Sequence, residues 1–121
     1  AVRYIETQTH ERYVVIGDQW TTYAGERIVG IENPEAYYYP ELSRTGHDLF
    51  VNMTREPSTK WMLLAMNYTG TTTAYFIVTQ PRLGTDEFNK VVSDTRSVLP
   101  TFLITGSGKL YVFSYKKGQQ V

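Results

Sequence analysis

Residues 60–79 read KWMLLAMNYTGTTTAYFIVT, and the reading of this stretch decides the fold. Lys60 to Tyr68 and Thr71 to Thr79 are both rich in aromatic or β-branched residues, and they flank Thr69-Gly70. Two such runs around a short glycine-containing break make the pattern of a β-hairpin. The same logic extends in both directions. Downstream, Thr101 to Thr105 and Lys109 to Tyr115 surround Gly106-Ser107-Gly108 and predict a second hairpin. In its second strand Tyr111, Phe113 and Tyr115 share one face, with Leu110, Val112 and Ser114 on the other. Upstream, Val2 to Ile5, Arg12 to Ile16, Gln19 to Tyr23, Glu26 to Ile31 and Asp48 to Met53 read as further strands. Gly17-Asp18 stops the second of these, and Gly30 marks a bulge in the fourth.

One segment breaks this rhythm. From Thr85 to Val98, Phe88, Val91, Val92, Thr95 and Leu99 recur at helical spacing, with Thr85 as the expected N-cap and Asp86 and Glu87 in the first turn. Pro100 ends the helix, because the residue before a proline is pushed out of the α region. Asn33 to Gly46, with Pro34, Pro40 and a terminal glycine, reads as a long loop. Arg55-Glu56-Pro57-Ser58 reads as a turn. These elements predict a mainly β fold, an antiparallel sandwich or partly open barrel with one helix over residues 85–98. The alternative is an α+β arrangement with one antiparallel sheet. Short alternating strands with glycine turns suit a sandwich and a barrel equally.

With 121 residues and no linker, repeat or low-complexity run, the chain is expected to form a single domain over 1–121. Apolar residues at 41% and charged residues at 20% place it among folded rather than disordered chains. Twelve basic and twelve acidic side chains cancel. That argues against nucleic acid, whose binders draw affinity from neutralising phosphates, and against anionic membranes. The longest apolar stretch, Trp61 to Met66, is too short to span a bilayer, so integral insertion is not expected. The absence of cysteine removes disulfides, thiolate metal sites and a Cys nucleophile together. No signal-peptide pattern is visible, and a start at Ala1 reads as a mature, excised or Met-trimmed product.

Gly106-Ser107-Gly108-Lys109 matches only the end of a phosphate loop, since Leu103 and Leu110 stand where glycine and Ser/Thr are needed. It reads as a hairpin turn. His10 and His47 have no partner at ligand spacing, and no metal or cofactor site is expected. The pair His47-Asp48 would point to opposite faces at the start of a strand. Glu32, Glu35 and Glu41 offer carboxylate pairs of the kind glycosidases use, as any acidic loop does. The basic and aromatic run at Lys109 to Lys117 lacks the glycines of an RNA-binding strand. Asn52-Met53-Thr54 and Asn67-Tyr68-Thr69 match the glycosylation sequon. The segment that stands out is Tyr37-Tyr38-Tyr39 between Pro34 and Pro40. Three consecutive extended aromatics cannot all face one core, so these tyrosines are the candidate binding residues.

Val14-Val15-Ile16, then Gly25-Glu26-Arg27-Ile28-Val29-Gly30-Ile31, Leu49-Phe50-Val51, Thr59 to Met66 and Ala74 to Val78 form a series. It resembles the N-terminal β-domain of the VirB9/TrbG family over residues 11 to 80. Lys60-Trp61 stands where that family has Asn-Leu, and the helix at 85–98 has no counterpart there. The resemblance implies a β-sandwich and a non-enzymatic, structural place in an envelope-spanning type IV secretion channel. It transfers no functional residue. Placement in the periplasm or outside the cell is favoured over the cytoplasm.

Three functional classes follow. The leading one is a non-catalytic protein-binding or assembly module, whose partner is another protein or a second copy joined at a strand edge. The second is a small hydrolase in which His47, Asp48 and one of Glu32, Glu35 or Glu41 converge. The third is a β-barrel carrier of a small apolar ligand, lined by Trp20, Trp61, Tyr75 and Phe102.

Overall fold

The computed structural model describes residues 2–8, 11–18, 22, 36–40 and 44–116. The strands proposed over Gln19 to Tyr23 and Glu26 to Ile31, together with His10, Trp20, Glu32, Glu35 and Glu41, lie outside the described residues or almost wholly so. Within the described residues the order is α1 (Val2–Gln8), β1 (Tyr13–Gly17), β2 (Ala36–Pro40), α2 (Arg44–Arg55) and α3 (Thr59–Thr69), followed by β3 (Thr73–Thr79). A single turn, α4 (Gln80–Leu83), leads to α5 (Thr85–Arg96), and the chain finishes with β4 (Thr101–Thr105) and β5 (Leu110–Lys116).

The strands form one five-stranded sheet in the order β2-β1-β3-β5-β4. β1 pairs in parallel with both β2 and β3, whereas β5 runs antiparallel to β3 and to β4. The sheet is mixed and open. This corrects the expectation of an antiparallel sandwich or barrel, and the broader α+β reading is the one that fits.

Both faces of the sheet are covered, and alternation along the strands sorts side chains between them. Val14, Ile16, Ala74, Phe76, Val78, Phe113 and Tyr115 pack against Leu49, Phe50 and Met53 of α2, Met62, Ala65 and Met66 of α3, and Phe88, Val91 and Val92 of α5. Phe76, fully buried on β3, stacks on Phe113 at 6.5 Å and tilts against Phe50 at 6.0 Å. Burying such a side chain contributes about 1.5–3 kcal/mol. On the opposite face Tyr13, Val15, Tyr38, Tyr75, Ile77 and Val112 meet Ile5 of α1. Because β1 and β3 are central and covered on both sides, they read as continuous apolar runs rather than as alternating ones.

Three proposed strands are helices. Asp48 to Met53 belongs to α2, where Gly46, Leu49, Phe50 and Met53 are buried at helical spacing. Lys60 to Tyr68 is α3, so the proposed hairpin at 60–79 is a helix followed by a strand. Ser58 caps α3, accepting a hydrogen bond from the Lys60 N–H at 3.2 Å. Gly70 sits just past its end at φ 67°, a left-handed conformation that glycine adopts without a Cβ penalty, and donates to the Met66 carbonyl. Val2 to Ile5 lies in α1, where burial of Ile5 against the sheet outweighs the β-branched composition. The proposed loop at 33–46 contains β2 and the start of α2.

Other expectations hold. β1, β3 and the β4–β5 hairpin lie where the sequence places them. Tyr111 and Phe113 stack at 5.9 Å on the helix-covered face, which Tyr115 shares, and Val112 lies on the other. α5 starts as expected, with Asp86 and Glu87 in its first turn, but Gly84 takes the capping position. The Thr85 hydroxyl instead accepts from the Gln80 side chain at 2.9 Å.

Candidate functional site

The three consecutive tyrosines are divided by the pleat of β2. Tyr38 is buried on the α1 side, its hydroxyl 3.0 Å from that of Tyr13. Tyr13 in turn donates to Glu6 at 2.7 Å. Burial above all, with the hydrogen bonds to Tyr38 and Glu6 adding to it, pushes the Tyr13 phenol far above its ordinary value. Further along this face Tyr13 meets Tyr75 edge-on at 5.8 Å, Tyr75 meets Phe102 at 4.9 Å, and Phe102 meets Tyr4 at 5.6 Å. Tyr38 is therefore part of a packed aromatic row.

Tyr37 and Tyr39 face the helices and are half-buried. The guanidinium of Arg12 lies 5.4 Å from the centre of the Tyr37 ring and donates to its hydroxyl at 2.7 Å. Burial raises the pKa of Tyr39, and the nearby phenols of Tyr68 and Tyr37 add to the shift. Tyr68 ends α3 with 57% of its surface exposed.

Beside Tyr68 opens a cleft of about 130 Å³ between α2 and α3, lined by Arg44, Thr45, Asp48, Leu49, Asn52, Leu64 and Tyr68. A broader, shallower depression of about 390 Å³ follows on the far side of α3, formed by Thr59, Lys60, Leu63, Leu64 and Asn67. Leu64 lines both. α3 thus buries Met62, Ala65 and Met66 inward, while Leu63 and Leu64 reach hollows in the surface. The exposed residues of α3 are Lys60, Asn67 and Tyr68, while the half-buried Leu63 and Leu64 pack against the core and form the apolar part of the hollows. The signal for this surface was present in the run Trp61-Met-Leu-Leu-Ala-Met, which holds more apolar residues than one buried helical stripe requires.

At the carboxyl ends of β1 and β3, Asp18 is 3% exposed and accepts a hydrogen bond from Thr79 at 2.8 Å. The Thr22 hydroxyl and N–H both donate to the Asp18 carbonyl. In open α/β sheets ligands gather at such strand ends. Here the carboxylate is buried against Thr79 and serves to tie β1 to β3. At the opposite end Glu11 accepts from Thr73 at 2.6 Å and from Thr72 at 3.0 Å, with Lys116 at 3.3 Å. The Thr73 hydrogen bond above all, opposed by burial and reinforced by Thr72 and Lys116, holds the Glu11 carboxyl below its usual value.

His47 and Asp48 lie on α2 rather than at the start of a strand, 3.7 Å apart and largely exposed. Among the described residues no three His, Asp or Glu side chains are grouped to hold a metal, and no helix is long and apolar enough to cross a membrane. Trp61 packs on the helix side of the open sheet while Tyr75 and Phe102 pack on the other, so these carrier residues line no common lumen. The Gly106-Ser107-Gly108 segment is a hairpin turn, with Gly106, Ser107 and Gly108 all at positive φ.

The fold and surface define an open, mixed-sheet α+β arrangement with two hollows beside α3, one of them edged by Tyr68. No protein-family model matches the chain, and no curated protein or solved structure matches it.

Proposed function

We propose that this chain is a non-catalytic protein-recognition module whose contact surface is the outer side of α3. The observation that carries the reading is the pair of hollows to which the half-buried Leu63 and Leu64 give an apolar lining, with the exposed Tyr68 at the edge. The cleft of about 130 Å³ is smaller than the roughly 300–1,000 Å³ typical of metabolite sites. It does fit one side chain of a partner. The larger depression is lined by α3 alone, and one convex helix does not enclose a small molecule. Arg44 and Asp48 at the cleft, with Lys60 beyond, place charges of both signs beside Leu49, Leu63 and Leu64. Polar rims, apolar cores and Tyr anchors are the usual anatomy of protein contacts. The envelope-channel role implied by the VirB9/TrbG resemblance gains no support from the fold, since residues 48–53 and 60–68 are helical.

The test is selection of displayed random peptides on the purified protein, followed by titration of the winners against Tyr68→Ala and Lys60→Glu. Both residues are exposed, so the variants are expected to fold. The selected peptides should lose tenfold or more in affinity, which corresponds to about 1.4 kcal/mol. Peptides that bind both variants as tightly as the parent place recognition elsewhere. A shift of several degrees in the melting temperature with a metal, nucleotide, oligosaccharide or fatty acid would overturn the reading in favour of a small ligand.

A further inference from the structure

The sheet ends at β4, and among the described residues no strand lies beyond it. Its sequence is Thr101-Phe102-Leu103-Ile104-Thr105, with no charge and no proline within it. Natural sheet edges are usually guarded by lysine, inward charge or proline, since an unguarded edge pairs with another strand. The opposite outer strand, β2, carries such a guard in Pro40. β4 carries only an irregularity between Thr101 and Leu103, which leaves Leu103, Ile104 and Thr105 in regular register with Val112, Tyr111 and Leu110.

Two of the three large exposed apolar side chains among the described residues flank this edge. Ile104 is 49% exposed, and it pairs with Tyr111, which packs on the helix-covered face. Tyr4, 45% exposed, leans edge-on against Phe102 on the α1 side. The edge thus offers apolar surface on both faces.

We infer that β4 pairs antiparallel with β4 of a second copy of this chain across a two-fold axis, making one continuous ten-stranded sheet. A two-fold contact sets a surface against itself, so it must be self-complementary. Cross-strand neighbours must also share a face. Centring the axis on Ile104 satisfies both: Ile104 meets its own counterpart on one face, and Leu103 meets Thr105 of the second copy on the other. No like charges are brought together, because β4 has none. The chain's zero formal charge adds no long-range repulsion. Three facing strand residues with the adjoining Tyr4 fall short of the roughly 1,200 Å² of a standard interface, so the dimer is weak and concentration-dependent. This surface is separate from α3, and the inference stands or falls independently of the recognition reading.

Sedimentation velocity from low micromolar to near-millimolar protein, together with hydrogen exchange at both extremes, tests it. The expected result is a reversible monomer–dimer equilibrium in which amides within residues 103–105 gain protection as concentration rises. Ile104→Lys and Thr105→Lys, both at exposed positions within the facing segment, should give monomer throughout while melting like the parent in dilute solution. A parent that stays monomeric at the highest concentration overturns the inference. So does a dimer that persists in both variants, or one whose added protection falls outside β4.

Discussion

Replacing Tyr13 by Phe removes one hydroxyl from the face of the sheet that α1 covers. Tyr13 is fully buried, donates to Glu6 at 2.7 Å and lies 3.0 Å from the Tyr38 hydroxyl. A hydrogen bond to a charged acceptor contributes about 1.5–3 kcal/mol, so the variant should lose roughly 1.5 kcal/mol near pH 8. Burial, Tyr38 and Glu6 raise the phenol's pKa well above the ordinary value of 10.0. The unfolded chain therefore releases this proton near pH 10 while the folded chain keeps it. The stability contributed by the raised pKa is complete below that pH and is lost as pH climbs toward the folded value. One group shifted in this way costs about 1.4 kcal/mol per pH unit above about pH 10. Tyr39, also raised, is present in both proteins and cancels in the comparison. Urea unfolding followed by far-UV circular dichroism from about pH 8 to about 11.5 should show a constant gap up to about pH 10. Above it the parent falls more steeply, and the two curves meet roughly one unit higher. A gap that stays constant to the highest pH would refute the assignment of Tyr13 as a buried, carboxylate-linked phenol.

Thr95 has the one buried side-chain polar atom without a hydrogen-bond partner among the described residues. Thr95→Val keeps its shape and removes the unsatisfied hydroxyl, so it should stabilise by about 1 kcal/mol in urea unfolding, and a loss of stability would contradict this. Gly17→Ala would set a methyl 2.9 Å from the Thr22 side chain and 3.3 Å from Ile77. Overpacking of this kind should cost about 1–3 kcal/mol, seen as a fall of roughly 4 °C in melting temperature for each kcal/mol. Glu11→Gln removes a carboxylate whose lowered pKa stabilises the fold above the ordinary value of 4.5 and loses that effect as pH falls below it. The parent should therefore lose more stability than the variant in acid, by less than about 1 kcal/mol because Glu11 is partly exposed; parallel acid profiles would count against the Thr73 contact.

How far the fold was legible depended on which signal each segment carried. β1, β3 and the C-terminal hairpin are rich in β-branched and aromatic residues and bounded by glycine, so propensity and packing agree there. α5 combines helical spacing with acidic residues in its first turn. α2 and α3 were misread because their apolar residues also form short continuous runs, which periodicity alone cannot assign to helix or strand. Two further signals could have decided it: Leu49, Phe50 and Met53 keep i, i+1, i+4 spacing with Gly46, and Ser58 and Gly70 bracket a run of Met, Leu and Ala, all strong helix formers. The sheet's mixed character was hidden because strand direction is set by connections rather than by residues. Tyr37 to Tyr39, extended in β2, face two ways, as consecutive strand residues must. That both ways lead into packed layers follows only from coverage of both faces, a tertiary fact. Tyr68 stands two residues before Gly70, and a strand reading of 60–68 gives it no distinct place; only the helix sets it at the surface beside the cleft.

The pairing of β1 with β3 sets the order in which this chain is able to fold. Tyr13 to Ile16 finds its second partner only when Thr73 to Phe76 has arrived, and β3 is bordered on its other side by β5. A nascent chain therefore carries an uncharged, fully apolar strand through most of synthesis with no finished sheet to receive it. Contacts so distant in sequence close slowly, and short apolar strands left waiting are the segments that pair with one another. The β4–β5 hairpin, local in sequence, is suited to form early and give β3 a template. A chain ended before Leu110 would lack that template, and its expected fate is aggregation through the bare edge of β3 rather than a smaller folded domain.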